Sequence, residues 1–526
     1  MRAPALPGLP GSASKPGQGG GVTEAMVGSV GHLNPLFETE ANDRDLDALI
    51  YQGLVTIDAG QHPVPLLASG WTESADHLQY IFTIRKGVKW ADGVPFTVKD
   101  VMFTFGVLQN PAYTQASGQD WKQVTISQPS PAAVEFTLKA PLASFPLALR
   151  QGIIPEHIFS SVSIAAIATD VHSNGAAFGT GPFKVESIAA HGQVVRLVRN
   201  RNAQKPPHLG SFTFHGYPSW ADAVSAVSRG DADAVGALAP PQLSSLVGRP
   251  DLSTYNRGSF SFAVVLFNLA PGHAGVLGDV AVRSAINKSI DRDAIIKEVL
   301  AGRALAAPGP IPPSDWAYSV ASAKVNSYNP TGAKQDLVAA GWTPDPTTSW
   351  LTKSGQILSL NLVTADGYPY LQVANALAGQ LKKVGVKVDV QTVAASDLVS
   401  RYLETNQYQM ALAAFDNGPD PDQYGLWHSG APPGSLNFAS SLIAKQDLID
   451  KDLEDGRAAS WNDRSRRAAI YADFQTLIGQ AVPAIFLYEP RYTYVVSRRV
   501  KGVRIDPAID PPERFAHISD WYVNSA

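Results

Sequence analysis

The chain has 526 residues, too many for a single hydrophobic core, so two or three core units are expected. Its apolar fraction of 45% and charged fraction of 17% are those of a folded globular protein and exclude a disordered one. A net charge of -4 without a dominant basic patch excludes nucleic acid as an expected partner, and the absence of cysteine excludes disulfides, thiolate metal sites and cysteine nucleophiles.

Residues 1–21 are rich in Gly, Pro and Ser, with no apolar segment after Arg2. They read as a flexible tether, either one left behind a removed export signal or the leader of a cytosolic protein. Val22 to Val27 follows as a strand. Asp43 to Leu54 then spaces Leu46, Leu49, Ile50 and Leu54 as a helix, with Asn42 or Asp43 as its N-cap and Gly53 as its stop. Leu78 to Ile84 alternates as a strand, and Asp92-Gly93 makes a tight turn. Thr97 and Asp100 then form a capping pattern ahead of a helix with Val98, Val101, Met102, Phe105 and Leu108 on one face.

Val134 to Leu138, Phe183 to Ile188 and Val194 to Val198 read as further strands, and Trp220 to Gly230 as a helix. Phe260 to Ala270 is the longest apolar run; it is well short of the ~18 residues of a membrane helix and reads as a buried strand. Asp279 and Asp291 cap two more helices. Leu358 to Leu362, Ala374 to Leu381 and Val386 to Val390 form a strand, helix and strand, with Gly385 at the helix end, which is a βαβ unit. The expected fold class is α/β.

Catalytic signatures are missing. There is no G-x-S-x-G elbow, no H-E-x-x-H and no Gly-Lys of a phosphate-binding loop, and the eleven histidines are scattered. No catalytic residue, cofactor or metal site is expected. The sharpest polar group is the loop Asp416-Asn417-Gly418-Pro419-Asp420-Pro421-Asp422, directly after the apolar strand Met410 to Phe415 and before Tyr424, Trp427 and His428. Carboxylates at the end of a buried strand sit where open α/β sheets bind ligands, and the same composition also makes a solvated turn. Asp416, Asn417, Asp420, Trp427 and His428 are the candidate ligand-binding residues.

Blocks in order along the chain carry a resemblance. They include Leu33-Asn34-Pro35, Ile50 to Leu54, Phe82 to Thr97 with Asp100-Val101, Gly179 to Phe183 and Gly230 to Asp233. Val282 to Asn287, Ala340-Gly341-Trp342, Val384-Gly385-Val386 and Pro483 to Tyr488 complete the series. From Val22 to Tyr522 the chain resembles the family-5 extracellular solute-binding proteins, the dipeptide- and oligopeptide-binding components of ABC importers.

The resemblance implies a two-lobed, periplasmic-binding-protein-like fold of type II, cluster C-like, with an extra subdomain on the first lobe. The implied division gives residues 22–62, 178–272 and 489–526 to the first lobe, 63–177 to the subdomain and 273–488 to the second lobe. It also implies a monomer outside the cytoplasm, periplasmic or at the cell surface, with membrane contact only through an N-terminal anchor. The partners are a short peptide and the permease subunits of an importer. In peptide-binding relatives an aspartate pairs with the ligand's α-ammonium, ahead of an acidic-Pro pair. That points to Asp416 ahead of Asp420-Pro421, with Asp420 as the alternative because the loop is one residue longer here. A non-peptide solute such as a nickel chelate, with Trp427 and His428 as contacts, and a hydrolase are the rival functions.

Overall fold

The computed structural model describes residues 18–323, 327–432 and 435–524. Most of the expected tether therefore lies outside the described residues, and the first strand is already formed at Gly21–Val27.

Two mixed sheets organise the molecule. The first has seven strands, with Gly21–Val27 paired in parallel to Ser211–Tyr217 and Ala234–Val235. The second has six, and at its centre Ser261–Phe267 runs antiparallel to both Met410–Asp416 and Ala484–Pro490. A separate four-stranded antiparallel sheet lies within residues 63–177, in the order Ala68–Glu73, Gln79–Ile84, Ala133–Thr137, Thr125–Ser130. Its side chains Tyr80, Phe82 and Phe136 share one continuous core with Val195 and Phe212 of the first sheet. The second sheet has its own core.

Local chemistry explains the elements that bound the later site. Thr97 and Asp100 do form the reciprocal capping box of the helix Val98–Gln109. Asp279 and Asp291 cap their helices as expected. The βαβ unit forms from Ser359–Ala365, Tyr370–Lys383 and Lys387–Val393, with the two strands parallel. Gly385 has φ +85, and a side chain there would meet Leu351 at 2.9 Å, so only glycine turns the chain out of that helix. The opening helix Ala41–Ile50 begins two to three residues earlier than its expected caps, on Glu40, because Asp43 sits at its third position and reaches back to the Glu40 N–H.

The place where the chain passes between lobes differs from the sequence expectation. Residues up to 272 were expected in the first lobe, yet Ser261–Phe267 is a central strand of the second sheet. It is buried from Phe262 to Phe267 and has a strand partner on each side in that sheet, as a central strand does. The chain crosses at Gly258 to Phe260 and returns at Arg491, immediately after Ala484–Pro490 and before Tyr492–Ser497. These two crossings lie side by side. Ser259 Oγ donates to the Pro490 carbonyl at 2.8 Å, and the buried Glu489 carboxylate accepts from the Ser259 N–H at 3.3 Å and from Ser314 Oγ at 2.6 Å.

Candidate functional site

Three adjoining cavities, of about 620, 310 and 580 Å³, have Pro511 as a common lining residue and form one cleft. The volumes are those of small-solute sites. The first lobe supplies the opening helix, the loop around Arg150 and the short 3₁₀ helix Pro511–Phe515. The second lobe supplies Ser261, Tyr368, Tyr488 and Asp416.

Asp416 is the last residue of the strand Met410–Asp416, and its register partner is Ser261. One carboxylate oxygen accepts from Ser261 Oγ at 3.0 Å and the other from the Gly418 N–H at 2.8 Å. Gly418 takes φ +63, which lets the chain turn tightly enough to make that second bond. The carboxylate is oriented and exposed in the cleft, with no ion-pair partner among the described residues. It lies close enough to Asp510, on the opposing wall, to help raise the pKa of that carboxyl, whose main cause is burial.

The other four candidate residues do different work. Asp420 is buried and held by Arg467 in a two-pronged ion pair, at 2.7 and 2.9 Å, which commits its carboxylate to that pair. Asn417 donates its N–H to the Phe260 carbonyl at 3.1 Å and does not line the cleft. Trp427 is a core residue of the second lobe; its Nε1 donates to Gln423 at 3.0 Å and its ring packs on Phe438 and Phe486. His428 is buried. Its Nδ1 accepts from the Gly430 N–H at 2.8 Å, so Nε2 carries the proton and faces Glu454 at 3.0 Å. Tyr424 stacks on its ring. The loop after Asp416 is therefore a pinned structure from Asp420 onward, with Asp422 held by Arg457 at 2.6 Å.

Sequence reasoning missed the first-lobe wall, which is strongly acidic. The largest cavity is lined by six carboxylates (Glu38, Asp45, Asp47, Asp416, Asp510 and Glu513) against Arg44 and Arg150. Arg150 pairs with Asp510 at 3.1 Å and with Glu513. Asp45 is taken by Arg514, at 2.6 and 2.8 Å. Burial pushes Glu38 up to about 7, opposed by Arg44 and reinforced by Asp43. Burial raises Asp47 well above the usual carboxylate range, helped by Glu38 and Asp43. A signal existed for this wall: Asp43 and Asp47 fall on the same face of the opening helix as Leu46 and Ile50, an unusual place for acids.

These raised carboxyls give a signed pH effect. Each is protonated more readily in the folded chain than in the unfolded one, so its stability contribution is lost as pH rises; for Glu38 it is intact below about 4.5 and is lost as pH rises through about 7. The double variant Glu38→Gln, Asp47→Asn should exceed the parent in stability at neutral pH, by an amount on the order of 1–3 kcal/mol. That advantage should shrink as pH falls to 4.5, in denaturation curves recorded across the range. A gap that is constant with pH would contradict the assignment.

The family model for bacterial extracellular solute-binding proteins, family 5, matches residues 62–437, more than half of the chain. The chain belongs to that family. This family-5 protein is 27% identical over 527 residues to the oligopeptide-binding protein AppA of Bacillus subtilis, covering 97% of this chain and 93% of AppA. It is also 26% identical to the nickel-binding periplasmic protein of Escherichia coli, over 86% of each chain. The solved structure of B. subtilis AppA in complex with a nonapeptide matches with a TM-score of 0.75 at 26% identity, covering 97% of this chain and 100% of that one. The two-lobed architecture expected from sequence is that of this family, whose members are extracellular or periplasmic solute-binding transport proteins. No helix among the described residues is long and apolar enough to cross a membrane.

Proposed function

We propose that this chain captures short peptides in the interlobe cleft outside the cytoplasm and delivers them, chemically unchanged, to the permease of an ABC importer. The observation that carries this reading is Asp416: an oriented, exposed carboxylate on the second-lobe wall, free of any protein cation among the described residues. A peptide α-ammonium placed there gains a charge-assisted hydrogen bond and lies between Asp416 and Asp510. The oligopeptide-binding relatives support a peptide in particular. The nickel-chelate alternative drew on Trp427 and His428, and both are committed inside the second lobe.

The paired crossings at Gly258–Phe260 and Arg491 supply the hinge on which the lobes close over the solute. Native mass spectrometry of the protein incubated with a mixture of di- to nonapeptides should show intact peptides bound. Solution scattering should show a smaller radius of gyration with the bound peptide than without. The folded state should be stabilised by about 2.7 kcal/mol at a hundredfold excess over Kd. Cleaved peptides would establish a hydrolase, and an unchanged radius at saturation would remove the closure mechanism.

A further inference from the structure

Asp43 and Asp47 stand one turn apart on the same face of the opening helix, and their surroundings could hardly differ more. Asp43 is fully buried and accepts four backbone N–H groups, from Gly31, His32, Thr39 and Glu40. Asp47 is 4% exposed, lines the largest cavity, and has no hydrogen-bond donor from the described residues on either oxygen. The charged groups that act on it, Glu38 and Asp43, are both acidic. Glu38 lines the same cavity and also lacks a hydrogen bond from the described residues, while Arg44 is exposed beside it.

A carboxyl buried without a donor is costly, and the cost is removed by a hydrogen-bonding cation. The other acids of this wall already have theirs: Asp45 has Arg514, and Asp510 and Glu513 have Arg150. Among the described residues, Asp47 has no cation acting on it and Glu38 has only the exposed Arg44 beside it, so this pair is left to receive a positive charge from outside the chain.

We propose that Glu38 and Asp47 form a second cation subsite, on the first-lobe wall, that takes the ammonium or guanidinium of a ligand side chain. On the peptide reading given above, on which this rests, the preferred solutes are basic peptides carrying Lys or Arg. Asp416 and the Glu38–Asp47 pair then hold the ligand from opposite lobes, one by its α-ammonium and the other by a side chain. Closing the lobes on an uncharged peptide would leave Asp47 without a donor, so the subsite selects against such peptides as well as for basic ones.

The test uses calorimetry with alanine tripeptides carrying lysine at each position in turn, and the same series with norleucine, which keeps the aliphatic stem and removes the charge. At least one lysine peptide should bind about tenfold or more tighter than its norleucine counterpart. Asp47→Asn should erase that preference, weakening the lysine series and tightening the norleucine series, whereas Asp416→Ala should weaken both series alike. A lysine preference that survives in both Asp47→Asn and Glu38→Gln overturns the subsite, as does equal binding of the two series by the parent. If no peptide binds at all, the peptide reading fails by itself. The subsite is then decided with 1,5-diaminopentane against 1-aminopentane, by thermal shift. Stabilisation by the diamine alone, lost in Asp47→Asn, upholds it, and an equal response to the two amines overturns it.

Discussion

Arg514→Ala should cost the fold about 3–5 kcal/mol, the loss typical of stranding buried charges by removing their partner. The Arg514 guanidinium is buried and reaches Glu24 at 2.7 Å and Asp45 at 2.6 and 2.8 Å. Glu24 lies in the first strand, Asp45 in the opening helix and Arg514 in the short C-terminal 3₁₀ helix, so one side chain fastens three distant parts of the first lobe. Tyr494 also donates to Glu24, at 2.7 Å, but a neutral hydroxyl does not balance the charge. The fall should register as a lower denaturant midpoint with an unchanged slope. Adding Glu24→Gln and Asp45→Asn to Arg514→Ala should restore most of the loss, because the stranded charges are then gone. Full stability in the single variant would mean that the cluster is not what fastens the lobe.

Asp416→Ala and Asp420→Ala should separate cleanly, although only three residues lie between them. Asp416 makes its bonds to Ser261 and Gly418 at the cleft surface, so its loss should leave stability nearly unchanged and weaken peptide binding by two orders of magnitude or more, about 3 kcal/mol. N-acetylated peptide should show a similar loss with the parent protein and little further loss with Asp416→Ala. Asp420→Ala should do the reverse. It strands the buried Arg467 guanidinium and should destabilise the fold by about 3–5 kcal/mol, with peptide affinity retained by whatever remains folded. Parent-like binding by Asp416→Ala would remove this residue from the site.

The contrast between these two aspartates also marks how far the sequence was legible. The strand Met410–Asp416 and the acidic loop after it could be read directly, because an apolar run followed by Asp, Gly and Pro has few structural outcomes. Which acid faces the cleft could not, because the decisive partner of Asp420 is 47 residues away on the helix Arg464–Ala481. The partners of Trp427 and His428 were hidden for a similar reason: an indole and an imidazole beside an acidic loop suit a ligand, and in the fold they bond to Gln423 and Glu454. The first interlobe crossing was placed a strand too late because no linker composition marks it; Gly258-Ser259-Phe260 joins two ordinary strands. Capping boxes and the βαβ unit were legible because their determinants are local.

The side-by-side crossings have a consequence for the order in which the protein can be completed. Everything from Ser261 to Pro490 forms one uninterrupted insertion, so the second sheet has all its strands once residue 490 has been made. The first sheet does not. Tyr492–Ser497 is inserted between Leu252–Arg257 and Ala234–Val235, and Arg514 arrives later still to neutralise Glu24 near the chain's start. A nascent chain thus finishes its middle before its beginning, and a truncation between residues 490 and 497 damages the first sheet while sparing the second. The strand made first is held in its final environment by side chains made last.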